Sequence, residues 1–318
     1  MNMKERQSFE IYNEDYRQSA NTLFHFMKEA KYLNDILNRK AIIPRYCIEN
    51  IEYLKIKQGD NNFKEIAVLQ KCFCDIPFHK LSEKYSLNGV GENFDKLSDE
   101  EKKSASSNNT HTDFYGEYAI AFSKKWGETH NLQPIHYVNE YSSFFTEFLE
   151  YSNYCLNSDE VSDIVVNDFL SRLSFVKPIR GIMKRKVKKS EKNEYVDVEF
   201  YKNFHDEKEW RYVPKQIKTT SLKMENVIAN PHILKSQDYN CYKISDELVN
   251  EKFRSLWLSY EYDEIRYLIV PNSRARIEMI ETIMNIPDKM FQKQSDILTQ
   301  KYILISKIVV LDEIRRDC

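Results

Sequence analysis

The segment FHDEKEWRYVP, residues 204–214, packs three acids, a tryptophan and an arginine into a short stretch. Read as a strand from Glu207, it alternates Glu207, Glu209 and Arg211 on one face with Lys208, Trp210 and Tyr212 on the other. Two carboxylates and a guanidinium on one face are costly to bury without partners. The segment is therefore either an ion-paired structural strand or the floor of a polar site. Residue types alone favour the ion-paired strand, and Trp210, pointing the other way, belongs to the core.

The elements around this segment set the fold class. Downstream runs a polar connection, Lys215–Lys252, followed by DEIRYLIVPNS (Asp263–Ser273) as a core strand. Ser273 is placed to cap a helix over Arg274–Met284, and Ile303–Val310 reads as a final buried strand. Upstream, residues 177–200 form a basic hairpin insertion carrying Lys184, Arg185, Lys186, Lys188 and Lys189. That run is either a solvated hairpin or a contact to nucleic-acid phosphates. Tyr141–Tyr154 and Asp159–Phe175 are helix candidates, the second with Val161, Ile164, Val165, Phe169 and Leu173 on one face. Glu117–Phe122 alternates as a strand, and Ala67–Pro77 (AVLQKCFCDIP) is another, with Asp75 at its end as a helix cap or a site residue. Residues 86–112 are polar and read as a mobile loop. Thr22–Phe26, with His25 at its centre, reads as a strand before a helix over Lys28–Asn38, and residues 1–19 as a polar lead-in. Strands interspersed with helices point to one α+β domain over 1–318, with mixed, mostly antiparallel sheets flanked by helices.

Composition removes several classes. The net charge is −2 with 30% charged residues, so basic and acidic groups are interspersed and any nucleic-acid argument must be local. Six glycines leave no room for a glycine-rich phosphate loop. The six cysteines form no C-x-x-C pair, and the spacing of Cys72 and Cys74 suits neither zinc nor a disulfide framework. They read as buried thiols of a cytoplasmic protein. No apolar run reaches the roughly 18 residues of a membrane span, and the charged N-terminus is no signal peptide. The histidines show no H-x-x-x-H spacing, so no metal is expected; no G-x-S-x-G elbow occurs to carry a serine or cysteine nucleophile. A Cys–His dyad stays open, since its members need not be adjacent in sequence.

What remains is a histidine in the first strand, tyrosines near a central strand and a glutamate in a late polar strand. Such a set suits a flat, charged ligand: aromatic rings stack, histidine bonds a ribose or amide, and arginine clamps a pyrophosphate. A carboxylate stabilises a developing oxocarbenium centre.

The motifs LFHF-x-x-x-x-x-x-L-x-x-IL (Leu23–Leu37), PRYCIEN (Pro44–Asn50), CFCDIP (Cys72–Pro77), H-x-x-x-YGEYAIAFSKKWG (His111–Gly127), QPIHYV (Gln133–Val138) and FHDEKEWRYVP resemble, in order, those of the AbiGi-type abortive-infection family. That resemblance implies a phage-defence protein with a cognate toxin or antitoxin from a neighbouring gene as partner. The first motif is also similar to that of DarT-type ADP-ribosyltransferases, and Glu207-Lys208-Glu209 to the E-x-E of arginine-directed ones. This second resemblance implies an ADP-ribosyltransferase-like core using NAD as substrate on a macromolecule such as nucleic acid. It makes Glu209 the catalytic carboxylate with Glu207 as helper, and His25, Tyr46, Tyr115, Tyr118 and Arg211 the NAD contacts. The chain departs from that pattern in lacking an S-T-S element and in carrying Arg39-Lys40 where a glycine is usual. The alternative is a non-catalytic antitoxin or regulatory partner.

Overall fold

The computed structural model describes residues 20–107, 109–189, 194–215, 225–229, 245–291 and 296–317. Its centre is a mixed sheet whose main path runs Ile308–Val310, Ile265–Val270, Tyr118–Phe122, Leu23–Met27, Glu65–Cys74, Glu209–Tyr212 and Leu132–Pro134. All neighbours on this path are antiparallel except Ile265–Val270 with Ile308–Val310. Helices cover it, so the architecture is α+β.

Glu65–Cys74 organises the sheet because it is long enough to serve two sets of neighbours. Its C-terminal part lies between Leu23–Met27, through Phe24 opposite Cys74, and Glu209–Tyr212. Its N-terminal part lies between Arg45–Asn50 and Val227–Ile228. Along one edge the neighbour therefore changes from Leu23–Met27 to Arg45–Asn50, and the strands part between them. His25 sits at this gap and donates from Nδ1 to the carbonyl of Cys72 at 2.8 Å.

Alternation sorts the two faces. On one, Leu23, Ile120, Phe122, Phe73 and Trp210 join the main core with Leu33, Ile36 and Leu37 of helix Ala30–Arg39. Trp210 is thus a core residue. On the other, Phe24, Cys74, Ala119 and Ala121 form a smaller cluster. Helices Ser143–Asn157 and Asp163–Leu173 cover Ile66 and Val68 on that same side.

Several expectations change. FHDEKEWRYVP is not one strand: Phe204–Glu207 is a 3₁₀ turn, Lys208 takes the left-handed conformation (φ 44°), and only Glu209–Tyr212 is extended. Residues 86–112 are not a loop. They carry strand Asn88–Val90 and helices Glu92–Asp95 and Asp99–Ser106, and helix His111–Tyr115 begins at their end. Capping boxes at Ser98/Glu101 and Thr110/Asp113 start two of these helices. Both S/T-x-x-D/E spacings stand in the sequence and are local signals of a helix start. Ile303–Val310 is the end of helix Ile297–Ser306, whose N-terminus Asp296 caps at Thr299 N, followed by the short strand Ile308–Val310. Asn272, not Ser273, caps Ser273–Met284. Asp75 caps nothing; it forms a buried ion pair with Lys124.

The basic hairpin comprises Arg180–Lys188 and Tyr195–Asn203, with Asn88–Val90 as third strand. Met183 and Val187 close a satellite core with Val198 and Phe200. Cys47, Cys72, Cys74 and Cys155 are free thiols, but only Cys74 and Cys155 are buried, Cys72 being half-buried and Cys47 exposed; Cys241 and Cys318 and most of the polar connection lie outside the described residues. Among the described residues no helix is long and apolar enough to cross a membrane.

Candidate functional site

The two carboxylates of the opening segment meet in a buried cluster on the Cys72–Cys74 face of the sheet. Strand pairing sets Glu209 opposite Cys74 and Arg211 opposite Cys72, so both point to that face. Glu207 comes from the preceding turn rather than from alternation, and the left-handed Lys208 lets the chain bring it alongside.

Lys177 bridges the pair, donating to Glu207 Oε2 at 3.1 Å and to Glu209 Oε2 at 3.0 Å. Arg211 Nε donates to Glu209 Oε1 at 2.6 Å, and its Nη1 to the Ser174 carbonyl at 2.7 Å. Its Nη2 reaches Glu49 Oε1 at 3.2 Å. Lys202 donates to Glu207 Oε1 at 2.5 Å and to the Tyr115 hydroxyl at 3.0 Å, and that hydroxyl donates to Glu207. The Glu209 N–H donates to the Tyr137 hydroxyl at 2.9 Å. Three carboxylates, Glu49, Glu207 and Glu209, thus face three cations, Lys177, Lys202 and Arg211. Arg211 is only 1% exposed.

The electrostatics follow from this balance. Burial alone would raise the Glu207 pKa, but the charges of Lys177 and Lys202 outweigh it and hold it at about 2. Glu209 is likewise held far below the carboxylate range, burial being overcome by Arg211 and then Lys177. Burial opposes the charge on Lys177, yet Glu209 and Glu207 push its pKa up. Burial, reinforced by Glu207, raises Tyr115. Both carboxylates are therefore held in the ionised form, each engaged by at least two cationic donors.

Lys177 and Lys202 belong to the base of the hairpin. Lys177 lies in the short strand Val176–Pro178, and Lys202 near the end of Tyr195–Asn203. The insertion therefore supplies counter-ions to the acids. Sequence reasoning missed both lysines: one precedes a proline and the other sits among Tyr201 and Asn203, with no local pattern to mark them.

His25 lies elsewhere. It shares the face of Phe73, with ring centroids 5.4 Å apart, opposite to that of Glu209. It lines a cleft of about 480 Å³ where Leu23–Met27 and Arg45–Asn50 part. Burial, with Lys71 next, lowers its pKa to about 3, against the Cys72 carbonyl bond, so it is neutral. Tyr115 joins the two regions: it lines the cleft and carries its hydroxyl to Glu207. Tyr46 and Tyr118 line neither. Tyr46 packs with Leu69, Leu248 and Phe253 and donates to the Glu225 carbonyl at 2.6 Å. Tyr118 packs at the edge of the main core. The structure thus unites Glu207, Glu209, Arg211 and Tyr115, links His25 to them through Tyr115, and leaves Tyr46 and Tyr118 apart. Among the described residues no group of three or more His, Cys, Asp or Glu side chains is arranged to hold a metal ion.

The fold and site define an α+β protein whose sheet carries a charge-balanced acid–base cluster on one face and a cation-lined cleft on the other. The chain belongs to the AbiGi family of abortive phage resistance proteins. The family model described as "Putative abortive phage resistance protein AbiGi, antitoxin" matches residues 97–271. "Abortive phage resistance protein AbiGi" of Lactococcus lactis subsp. cremoris is 33% identical over 288 residues, spanning 87% of this chain and 99% of that protein. No solved structure gives a significant match. The matched span 97–271 holds every member of the acid–base cluster except Glu49, whereas most of the cleft lies before it.

Proposed function

We propose that this protein serves abortive phage resistance as the antitoxin-type partner of a two-gene system, restraining a cognate toxin by binding it. The observation that carries this reading is the engagement of Glu207 and Glu209 by the buried Lys202 and Arg211 and the half-buried Lys177, which makes the acids part of the scaffold. The description of the family as an antitoxin agrees with it. The test is inducible expression in cells, alone and with the partner gene from the same locus. Normal growth alone and rescue from the partner is the expected result. Toxicity of this chain alone, or no rescue, overturns the reading.

One observation favours a second reading, an NAD-dependent transferase: Tyr115 connects the His25 cleft directly to Glu207. In that reading NAD lies in the cleft, Tyr115 stacks on nicotinamide and Glu209 acts as the catalytic carboxylate. It requires Glu209 to leave Arg211 and Lys177 and to reach the other side of the sheet. Labelled NAD transferring label to a cell fraction, and a Glu209→Gln protein that folds but transfers none, would support it; absence of label removes it.

A nucleic-acid partner has weaker support. Lys184, Lys186 and Lys188 share the exposed hairpin face, but Arg185 turns inward onto Asn109 and Phe114. Glu199 and Asp197 stand directly across from Lys184 and Lys186 and offset their charge. Binding to a duplex that weakens steeply with salt is the result that would revive it.

A further inference from the structure

The parting of Leu23–Met27 from Arg45–Asn50 leaves a cleft whose charge is unbalanced. Its lining includes Lys28, Arg39, Arg45 and Lys71 against only Glu29 and Asp35. Glu29 already pairs with Lys31 at 2.7 Å, and Arg45 reaches only the exposed Asp246 at 3.5 Å. Among the described residues no carboxylate lies within ion-pair distance of Lys28, Arg39 or Lys71. Lys71 is the most telling of these. It follows Gln70 in Glu65–Cys74, on the face of Phe73 and His25, and its backbone is held opposite Tyr212. Its side chain is half-buried in the lining; burial lowers its pKa, against Cys47 and together with the like charge of Arg45. A half-buried cation without a counter-ion is desolvated at a cost that an incoming anion offsets.

The rest of the lining adds specificity. Tyr32, exposed at the cleft, offers an aromatic surface, whereas the Tyr115 ring already packs on His111 and under the Lys202 ammonium. His25 is neutral, and its Nδ1 must donate to the Cys72 carbonyl, so Nε2 is left as an acceptor. A ligand that suits this lining carries negative charge at one end, an aromatic ring at the other, and a hydroxyl or amine donor between them. The cleft volume, about 480 Å³, is that of an ordinary small-molecule site.

We infer that this cleft is a nucleotide-binding site in which Lys71 and Arg45 hold the phosphates and Tyr32 takes the base. The inference concerns equilibrium binding only and needs neither the antitoxin reading nor a catalytic step. Nucleotide occupancy would also fix the junction between the two strands.

The experiment is isothermal titration calorimetry of the full chain with ADP, ATP, NAD, adenosine and pyrophosphate, alongside Lys71→Met and Arg45→Gln. Lys71→Met keeps the stem and loses only the unpaired charge, so its fold, checked by circular dichroism and urea midpoint, should match or exceed wild type. The expected result is binding of at least one of the three nucleotides, no detectable binding of adenosine, and affinity weakened about tenfold or more by Lys71→Met. Binding of ADP without NAD supports the inference while removing the transferase reading. The inference is overturned if none of the three nucleotides binds, if adenosine or pyrophosphate binds as tightly as they do, or if both folded variants bind like wild type.

Discussion

Glu209→Gln exchanges one of three clustered carboxylates for a neutral amide of the same shape. In the native cluster Glu209 Oε1 accepts from Arg211 Nε at 2.6 Å and Oε2 from Lys177 Nζ at 3.0 Å. After the change, Glu49 and Glu207 alone face Lys177, Lys202 and Arg211. The amide oxygen still accepts from Arg211, but the amide NH₂ then meets the Lys177 ammonium, donor against donor. Removing one member of a buried pair costs about 3–5 kcal/mol, because the partner charge is left uncompensated. Lys177→Met on its own should cost a similar amount, since it takes from both acids the cation they share, leaving Glu207 with Lys202 and Glu209 with Arg211. In the double variant two acids again face two cations, so the two losses should not add, and a coupling of about 1–3 kcal/mol should appear. Urea unfolding followed by circular dichroism, on wild type, both single variants and the double, measures all three quantities. A Glu209→Gln protein within about 0.5 kcal/mol of wild type would falsify the scaffold role. Strict additivity of the two losses would separately deny that these residues act as one unit. If Glu209→Gln is as stable as wild type and has also lost NAD labelling, Glu209 is catalytic.

The remaining predictions concern other parts of the fold. Gly116→Ala should destabilise by about 3 kcal/mol or more, since φ is +104° and the new Cβ would lie 2.1 Å from the Met27 carbonyl oxygen; a melting temperature equal to that of wild type contradicts the close approach. His25 is held at about 3 against an ordinary 6.5, so the unfolded chain takes up its proton first and stability drains as pH falls below about 6.5. Glu207, held at about 2, adds its own loss as pH falls below about 4.5. Between pH 6 and 4.5, His25→Gln should flatten the stability slope by up to about 1.4 kcal/mol per pH unit; an unchanged slope means the imidazole is not kept neutral by the fold. Lys124→Met removes the buried counter-ion of Asp75 and should cost about 3–5 kcal/mol, with Asp75→Asn on the same background recovering part of it; no recovery would show that the two do not pair.

Local chemistry made much of this protein readable. The helical spacing of Leu33, Ile36 and Leu37, the alternation through Tyr118–Phe122 and the break at Asp75–Pro77 are short-range properties, and the corresponding elements formed. The inward turn of Trp210 likewise followed from period two once a strand was granted. Ile303–Val310 went wrong because an apolar run fits a buried helix as well as a strand. Residues 86–112 went wrong because their helices are held by capping boxes and a satellite core, with few apolar residues of their own.

The sequence by itself determined that Glu207, Glu209 and Arg211 needed partners, since burying such charges alone is prohibitive. Only the tertiary structure decided which partners they have. Lys177 and Lys202 arrive from the hairpin base, and Glu49 from a strand far upstream. It also decided that His25 lies on the opposite face from Glu209, at a gap opened where one edge of Glu65–Cys74 changes neighbours. Strand order and register are set by contacts between segments far apart in the chain, and a local pattern holds no record of them.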